Sequence, residues 1–479
     1  MTNSFAFAKS TKFKLQLTKG ICMNLTQANH PNVTIAALKT AAEPELSRDE
    51  VLALRKEYVA PATFMYYKEP INLVRGHMQY LYDETGKQYL DALGGIVTIS
   101  VGHCHPEVIA KTKAQIDKLQ HATTIYLHPA MPLLAKKLAE KMPSADLKVS
   151  FFTNSGSETN DLAMTMARLF TGNLDILTVR NGYHGASLAT MSAVGHSTWR
   201  FPIPTTGNLH HIAPGYCYRC PFNLKYPDCN VQCARDAENV IRYSTSGKVA
   251  AVLAEPIQGV GGTVVPPPEY YKILYEIVKK YGGIYISDEV QTGFGRTGEH
   301  YWGIQNWGVT PDAITMAKGL GNGIPISAVT TRREIANAMS GKIWFNTFGG
   351  NPVSMTQGLA TLEVIDKDGS QANSLQIGNY LKEKLTGLMD KHRLIGEVRG
   401  LGLMLGVELV KDRATKEPAT AETADVMERT KNRGLLIGKG GFFGNVLRIK
   451  PPMCINRNDA DFIVDTLDKV LNEIETGKA

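Results

Sequence analysis

A chain of 479 residues, 43% apolar and 20% charged, is long enough for two or three domains, or for one large α/β domain with a smaller appendage. It has no uninterrupted apolar run long enough to span a bilayer, and no internal repeat or low-complexity tract. The net charge of +7 is concentrated in residues 1–42, which carry Lys9, Lys12, Lys14, Lys19 and Lys39 and no acid; the remainder is +2, so a nucleic-acid surface on the folded body is not expected.

The acid-free leader, rich in Lys, Ser, Thr and Asn, has the composition of an organelle transit peptide, although it lacks the arginines that mitochondrial leaders favour. A disordered basic tail shares that composition. The closing Thr-Gly-Lys-Ala is not a peroxisomal address. Residues 46–60 have helical spacing, and residues 72–95 alternate apolar and polar side chains around Asp83–Gly86, which predicts a hairpin. His103, Cys104 and His105 are metal-ligand types, but strand-to-helix packing is the reading taken, with a helix starting at Pro106–Glu107.

A strand is expected to end at Phe152, followed by a capping box at Ser155 and Glu158. Leu162, Ala163, Met166, Ala167 and Phe170 then fall on one helical face. A strand, a glycine turn and a helix in this order aim backbone N–H groups and the positive helix end of Gly156 and Ser157 at an anion. Tyr183 and His184 follow a further strand. Cys217, Cys220, Cys229 and Cys233 have a C-x2-C-x8-C-x3-C spacing compatible with a zinc knuckle, two disulfides or free thiols in a surface insertion; free thiols are the reading taken, with no metal assigned. The run VAAVLAEP is a buried strand ending at Glu255.

Two more buried strands deliver Asp288 and Lys318 at their carboxyl ends, where open α/β sheets bind ligands. A lysine in a low-dielectric pocket loses its proton more readily and becomes a nucleophile toward carbonyls. An aspartate there can hold a proton on the ring nitrogen of pyridoxal phosphate (PLP), which needs that partner to act as an electron sink. On spacing alone, an ordinary ion pair is the alternative. Farther on, GLGLMLG has the wrong glycine spacing for a dinucleotide loop.

DEVQTGFGRTG at 288–298 followed by TMAKGLGNG at 315–323 resembles the class III (ornithine/4-aminobutyrate type) aminotransferase family, and most of all its alanine–glyoxylate branch, over nearly the whole chain after about residue 50. The resemblance implies a type I PLP-dependent transferase fold: a large α/β domain with a mostly parallel sheet at 105–350, and a smaller α/β domain built from both chain ends, 43–104 and 351–479, behind a leader at 1–42. It implies PLP bound covalently by Lys318, its ring nitrogen held by Asp288 and its phosphate by Gly156 and Ser157. Thr347, of NTFGG, would reach the phosphate of a neighbouring subunit, which requires a homo-oligomer, a dimer or a tetramer. Tyr183 and Val290 would cover the two faces of the ring, with His184, Glu255 and Gln291 alongside. Arg448, in LRIKPPM, would grip the substrate α-carboxylate.

Ornithine-type relatives carry a glutamate in the EPIQG-x-x-G turn that pairs with this arginine. Here the position is Val260, which leaves the arginine open to small 2-amino acids. The implied reaction moves the amino group of L-alanine to glyoxylate, giving pyruvate and glycine, in a mitochondrion and with neither nucleic acid nor membrane as partner. Transamination of β- or ω-amino acids and a PLP-dependent phospho-lyase reaction are the neighbouring alternatives.

Overall fold

The computed structural model describes residues 46–477, so the expected leader at 1–42 lies outside the described residues. Among these, no helix is long and apolar enough to cross a membrane. The chain begins with the helix Arg48–Tyr58, closed by a capping box between Ser47 and Glu50. An antiparallel meander follows: β1 (Leu73–His77), β2 (Tyr80–Asp83) and β3 (Gln88–Asp91). Its second turn is held by Asp83, whose Oδ1 accepts from the amides of Thr85 and Lys87 at 3.0 Å each.

The central sheet comprises β4 (Leu147–Thr153), β5 (Ile176–Val179), β6 (Leu209–Ile212), β7 (Ala251–Ala254), β8 (Ile284–Asp288), β9 (Ala313–Met316) and β10 (Ser327–Arg332), in the order β4-β10-β9-β8-β7-β5-β6. Only β10 runs antiparallel to its neighbours. The strands β7, β8 and β9 are buried throughout, as parallel strands covered on both faces must be. Their side chains alternate between two cores. Val252, Ala254, Tyr285, Ile314 and Met316 pack with Leu134, Tyr270 and Leu274, whereas Leu253, Ile284, Ile286 and Ala313 pack with the helix Gly156–Thr171.

That helix differs from expectation in two details. Leu162, Ala163, Met166 and Ala167 are buried as their spacing predicts, but Phe170 is 38% exposed and Met164 fills the core instead. Phe170 stands in the last turn, beside the left-handed Gly172 that stops the helix, where the helix has passed the end of the sheet. The capping box is also only half present. Ser155 Oγ accepts from the amide of Glu158 at 3.2 Å, while the Glu158 carboxylate accepts from the amide of Asn154 at 2.7 Å.

Beyond β10, the helix Pro352–Lys367, started by Pro352 and by an Asn351 cap, packs on the helices Pro106–Lys118 and Ala130–Lys141. The C-terminal part builds an antiparallel sheet from β11 (Ile395–Leu401), β12 (Met404–Asp412), β13 (Glu417–Pro418), β15 (Gly438–Gly440) and β16 (Val446–Ile449). The intervening β14 (Leu435–Leu436) pairs parallel with β3, so one sheet takes strands from both ends of the chain.

Candidate active site

Strands β4, β5, β7, β8 and β9 are mutually parallel, so their carboxyl ends open at one edge of the central sheet. A pocket lies there. Gly156, Ser157, Tyr183, His184, Glu255, Asp288, Val290, Gln291 and Lys318 all line it, as do Asn160, Gly185 and Ala317.

Asp288 ends β8 and is clamped from behind. Its Oδ2 accepts from Asn160 Nδ2 at 2.9 Å and faces His184 Nδ1 at 2.8 Å; its Oδ1 accepts from the Val290 amide at 3.2 Å. Burial disfavours the charged form of His184, but the Asp288 carboxylate outweighs it and holds the imidazole above its ordinary value. Glu255 Oε1 accepts from the Tyr183 amide and Oε2 from the Gly259 amide, both at 2.9 Å; burial raises this carboxyl, and the neighbouring Asp288 charge adds to the rise.

Lys318 follows β9 by two residues and sits at φ +41°, a strained conformation for a non-glycine residue that marks functional sites. Burial pulls its amine below the ordinary lysine value against the opposing charges of Asp288 and Glu255, and the positive charge of Arg448 adds to the fall. Its loop is anchored from the N-terminal side: Ser100 Oγ donates to the Gly319 carbonyl at 3.0 Å, and Asn322 Oδ1 accepts from the amides of Ser100 and Val101. On the opposite wall, the first helical residues Gly156 and Ser157 face the pocket. A side chain at Gly185 would meet Ser157 Oγ at 2.4 Å, so only glycine permits this approach of the two loops.

Arg448 lies on β16, buried at the rim. Its Nη2 donates to the Tyr66 hydroxyl at 2.8 Å, its Nε is buried without a partner, and it forms no ion pair among the described residues. The contrast with Arg399 is informative. That equally buried guanidinium pairs with Glu397 and Glu408 and donates to the Gly262 carbonyl. Arg448 thus keeps guanidinium donors that no carboxylate among the described residues uses. Val260 adjoins it: a side chain on Gly440 would lie 2.9 Å from both the Val260 carbonyl and Arg448 Cδ.

Thr347 is exposed and does not line this pocket. Of the metal-ligand types, His103 pairs with Asp91 at 2.8 Å and His105 with Asp368 at 3.3 Å, and Cys104 is an exposed thiol. Cys217, Cys220, Cys229 and Cys233 are unpaired thiols around one separate cavity. Residues that sequence reasoning missed are Tyr66, Asn160 and Lys450. Asn160 carried a faint signal, a polar residue one turn beyond Gly156 on the buried side of the helix. Lys450, wholly buried, follows Ile449 at the end of β16 and precedes Pro451, a second cation beside Arg448 in a buried strand, which is the hint it offered.

The Aminotransferase class-III family model matches residues 65–471. The chain belongs to the class III aminotransferase family. The family is a family of transaminases, and Asp288 and Lys318 lie at the carboxyl ends of parallel strands, where open α/β sheets bind ligands. Among curated relatives, the chain is 50% identical over 428 residues to the mitochondrial alanine–glyoxylate aminotransferase 2 homolog 2 of Arabidopsis thaliana, spanning 89% of this chain and 88% of that protein. It is 40% identical over 448 residues to the mitochondrial alanine–glyoxylate aminotransferase 2 of Homo sapiens, spanning 89% and 87%. Among solved structures, a Bacillus anthracis aminotransferase superposes with a TM-score of 0.83 at 33% identity, covering 89% of this chain and 98% of that one. An Arthrobacter phospholyase in complex with phosphoethanolamine gives 0.82 at 33% identity, covering 88% and 99%.

Proposed function

We propose that this class III aminotransferase uses PLP to transfer the amino group of L-alanine to glyoxylate. The observation that carries the substrate side is the buried Arg448 beside Val260, without a carboxylate partner among the described residues and close enough for its charge to act on Lys318. The names of the curated relatives point the same way. The residues also fit the cofactor. A half-buried lysine with a depressed pKa, a carboxylate fixed by Asn160 and His184, and the helix start at Gly156 converge on one pocket.

In this reading Lys318 holds PLP covalently, Asp288 its ring nitrogen, and Gly156 and Ser157 its phosphate, with Tyr183 and Val290 on its two faces and Gln291 beside its phenolic oxygen. Bound there, PLP supplies an electron sink for the pair left on the substrate α-carbon. The protein supplies the rest. Arg448 fixes the α-carboxylate of donor and acceptor alike, and so orients the α-hydrogen. Once the donor amine displaces it, Lys318, whose burial lowers its pKa, would carry that proton between the substrate α-carbon and the cofactor carbon. Asp288, fixed in place by Asn160, His184 and the Val290 amide, would face the ring nitrogen and hold a proton there.

The deciding experiment is a visible absorption titration of the PLP-loaded enzyme. Loss of the band with L-alanine and its return with glyoxylate is expected; a band indifferent to alanine sinks the donor. The likeness to a phospholyase gives a second reading its test, in which phosphate released from phosphoethanolamine without an acceptor would favour that reaction class.

Thr347 is proposed to reach the phosphate of a second copy, and residues 1–42 to direct the protein to mitochondria. Import of a fluorescent fusion to residues 1–42 tests the latter. The division into a large domain, 105–350, and a small one from 43–104 and 351–479 is likewise proposed; the shared sheet of β3 and β14 supports it.

A further inference from the structure

Lys450 is 0% exposed and has no carboxylate partner among the described residues. Arg448, Lys318 and Arg296 are the cationic groups acting on it, and Glu255 is the one anion; burial, the largest effect, and the Arg448 charge push its amine well below the ordinary lysine value. Lys450 Nζ donates to two oxygens, the Gly259 carbonyl at 3.2 Å and Gln291 Oε1 at 3.2 Å. Gly259 is in turn fixed by its amide, which donates to Glu255 Oε2, and a side chain on it would strike Gln291 Oε1 at 2.3 Å. The Gln291 amide is thus packed against Gly259 on one side and held by Lys450 on the other.

This arrangement decides which way the amide points. An amine that donates to the amide must face its oxygen, because the amide nitrogen carries only donors of its own. With Oε1 so engaged, Nε2 makes no hydrogen bond among the described residues, and Gln291 lines the pocket. We propose that Lys450 is a positioning residue that locks the flip of Gln291, so that its NH2 group is presented as a donor to an anionic oxygen in the pocket. The inference rests on the PLP reading, in which that oxygen is the phenolic one. An N–H donated to this oxygen favours the deprotonated form of the cofactor group it touches, so losing it raises the pH at which the chromophore titrates.

The test follows the visible band of the PLP-loaded enzyme across pH for the wild type, Lys450→Met, Gln291→Ala and the double variant. Met fills a similar volume and adds no buried polar group. The expected result is an upward move of the transition by roughly one pH unit in Lys450→Met, the scale of one lost hydrogen bond to a charged acceptor. In the Gln291→Ala background the same substitution should add nothing, because the lysine acts only through the amide. An unmoved transition, or an equal move in both backgrounds, overturns the proposal. Should Lys450→Met fail to fold, Gln291→Glu serves instead. Its carboxylate accepts from Lys450 but presents no donor, and it should reproduce the upward move; an unchanged transition there also overturns the proposal. A wild type that develops no visible band with PLP sinks the underlying cofactor reading, a result distinct from either outcome above.

Discussion

Two side chains carry the proposed chemistry and two more tune what it accepts. Lys318→Ala removes both the covalent anchor and the proton carrier, so multiple turnover should vanish; ordinary steady-state rates in that variant would remove Lys318 from the mechanism. Arg448→Ala should raise KM for alanine and for glyoxylate together, since both present the same carboxylate, by the factor of roughly 10–100 that corresponds to a charge-assisted contact of about 1.5–3 kcal/mol. The converse change, Val260→Glu, places a carboxylate beside the guanidinium and should raise the same two KM values while leaving the PLP band intact. Lys318 and Asp288 were legible in the sequence because each terminates a short apolar run, and a strand end fixes where a side chain emerges. Lys450 and Tyr66 were not. Their partners, Gln291 and Arg448, stand 159 and 382 residues away in the chain, and no local period records such a meeting.

Among the elements, the strands were the most legible and the helix ends the least. Buried parallel strands announce themselves as unbroken apolar runs, whereas the extent of a helix face depends on how far the sheet beneath it reaches, which is why Phe170 emerged and Met164 did not. The half-formed cap on the helix Gly156–Thr171 makes Ser155 its one side-chain N-cap, and Ser155→Ala should lower stability by about 1 kcal/mol, read from thermal or denaturant unfolding. The start of β5 offers a pH prediction. Asp175 Oδ1 faces Asn208 Nδ2 at 2.9 Å and His210 Nε2 at 2.8 Å, and its Oδ2 accepts from the amide and hydroxyl of Ser246 at 3.1 Å each. Burial opposes ionisation, but these hydrogen bonds outweigh it and pull the carboxyl down to about 2 from an ordinary 3.8. A carboxyl whose folded pKa is depressed contributes stability that is complete above the unfolded value and lost as pH falls through the folded one. Stability should therefore decline between about pH 4 and pH 2, and Asp175→Asn should be less stable at neutral pH and show a shallower decline over that window. An identical acid profile in the variant would assign the loss to other carboxylates.

At the scale of the whole molecule, the surface around Thr347 is rich in exposed apolar side chains. Ile343 is 97% exposed, Phe345 and Phe348 stand beside it, and Ile125, Tyr126 and Leu127, the last at 106%, lie on the neighbouring segment. The two segments meet: the ring of His121 lies 5.6 Å from that of Phe348, and Asn351 Nδ2 sits 3.1 Å from His121 Nδ1. Large apolar side chains exposed on two adjoining segments are the kind of surface that a partner covers. Sequence gave only the threonine, through a family resemblance; the patch could not be read from spacing, since its two halves are more than two hundred residues apart. If a second copy covers this patch and Thr347 completes its partner's phosphate site, assembly and cofactor binding are linked. Each large side chain withdrawn from water contributes about 1.5–3 kcal/mol, so Leu127→Asp with Ile343→Asp should weaken association by roughly two to four orders of magnitude. Sedimentation should show wild-type dimers or larger and a monomeric double variant, and the variant should also lose PLP on dilution. A variant that stays oligomeric would remove this patch from the interface, and a monomer that keeps PLP and full turnover would separate Thr347 from the phosphate and place the whole active site within one chain.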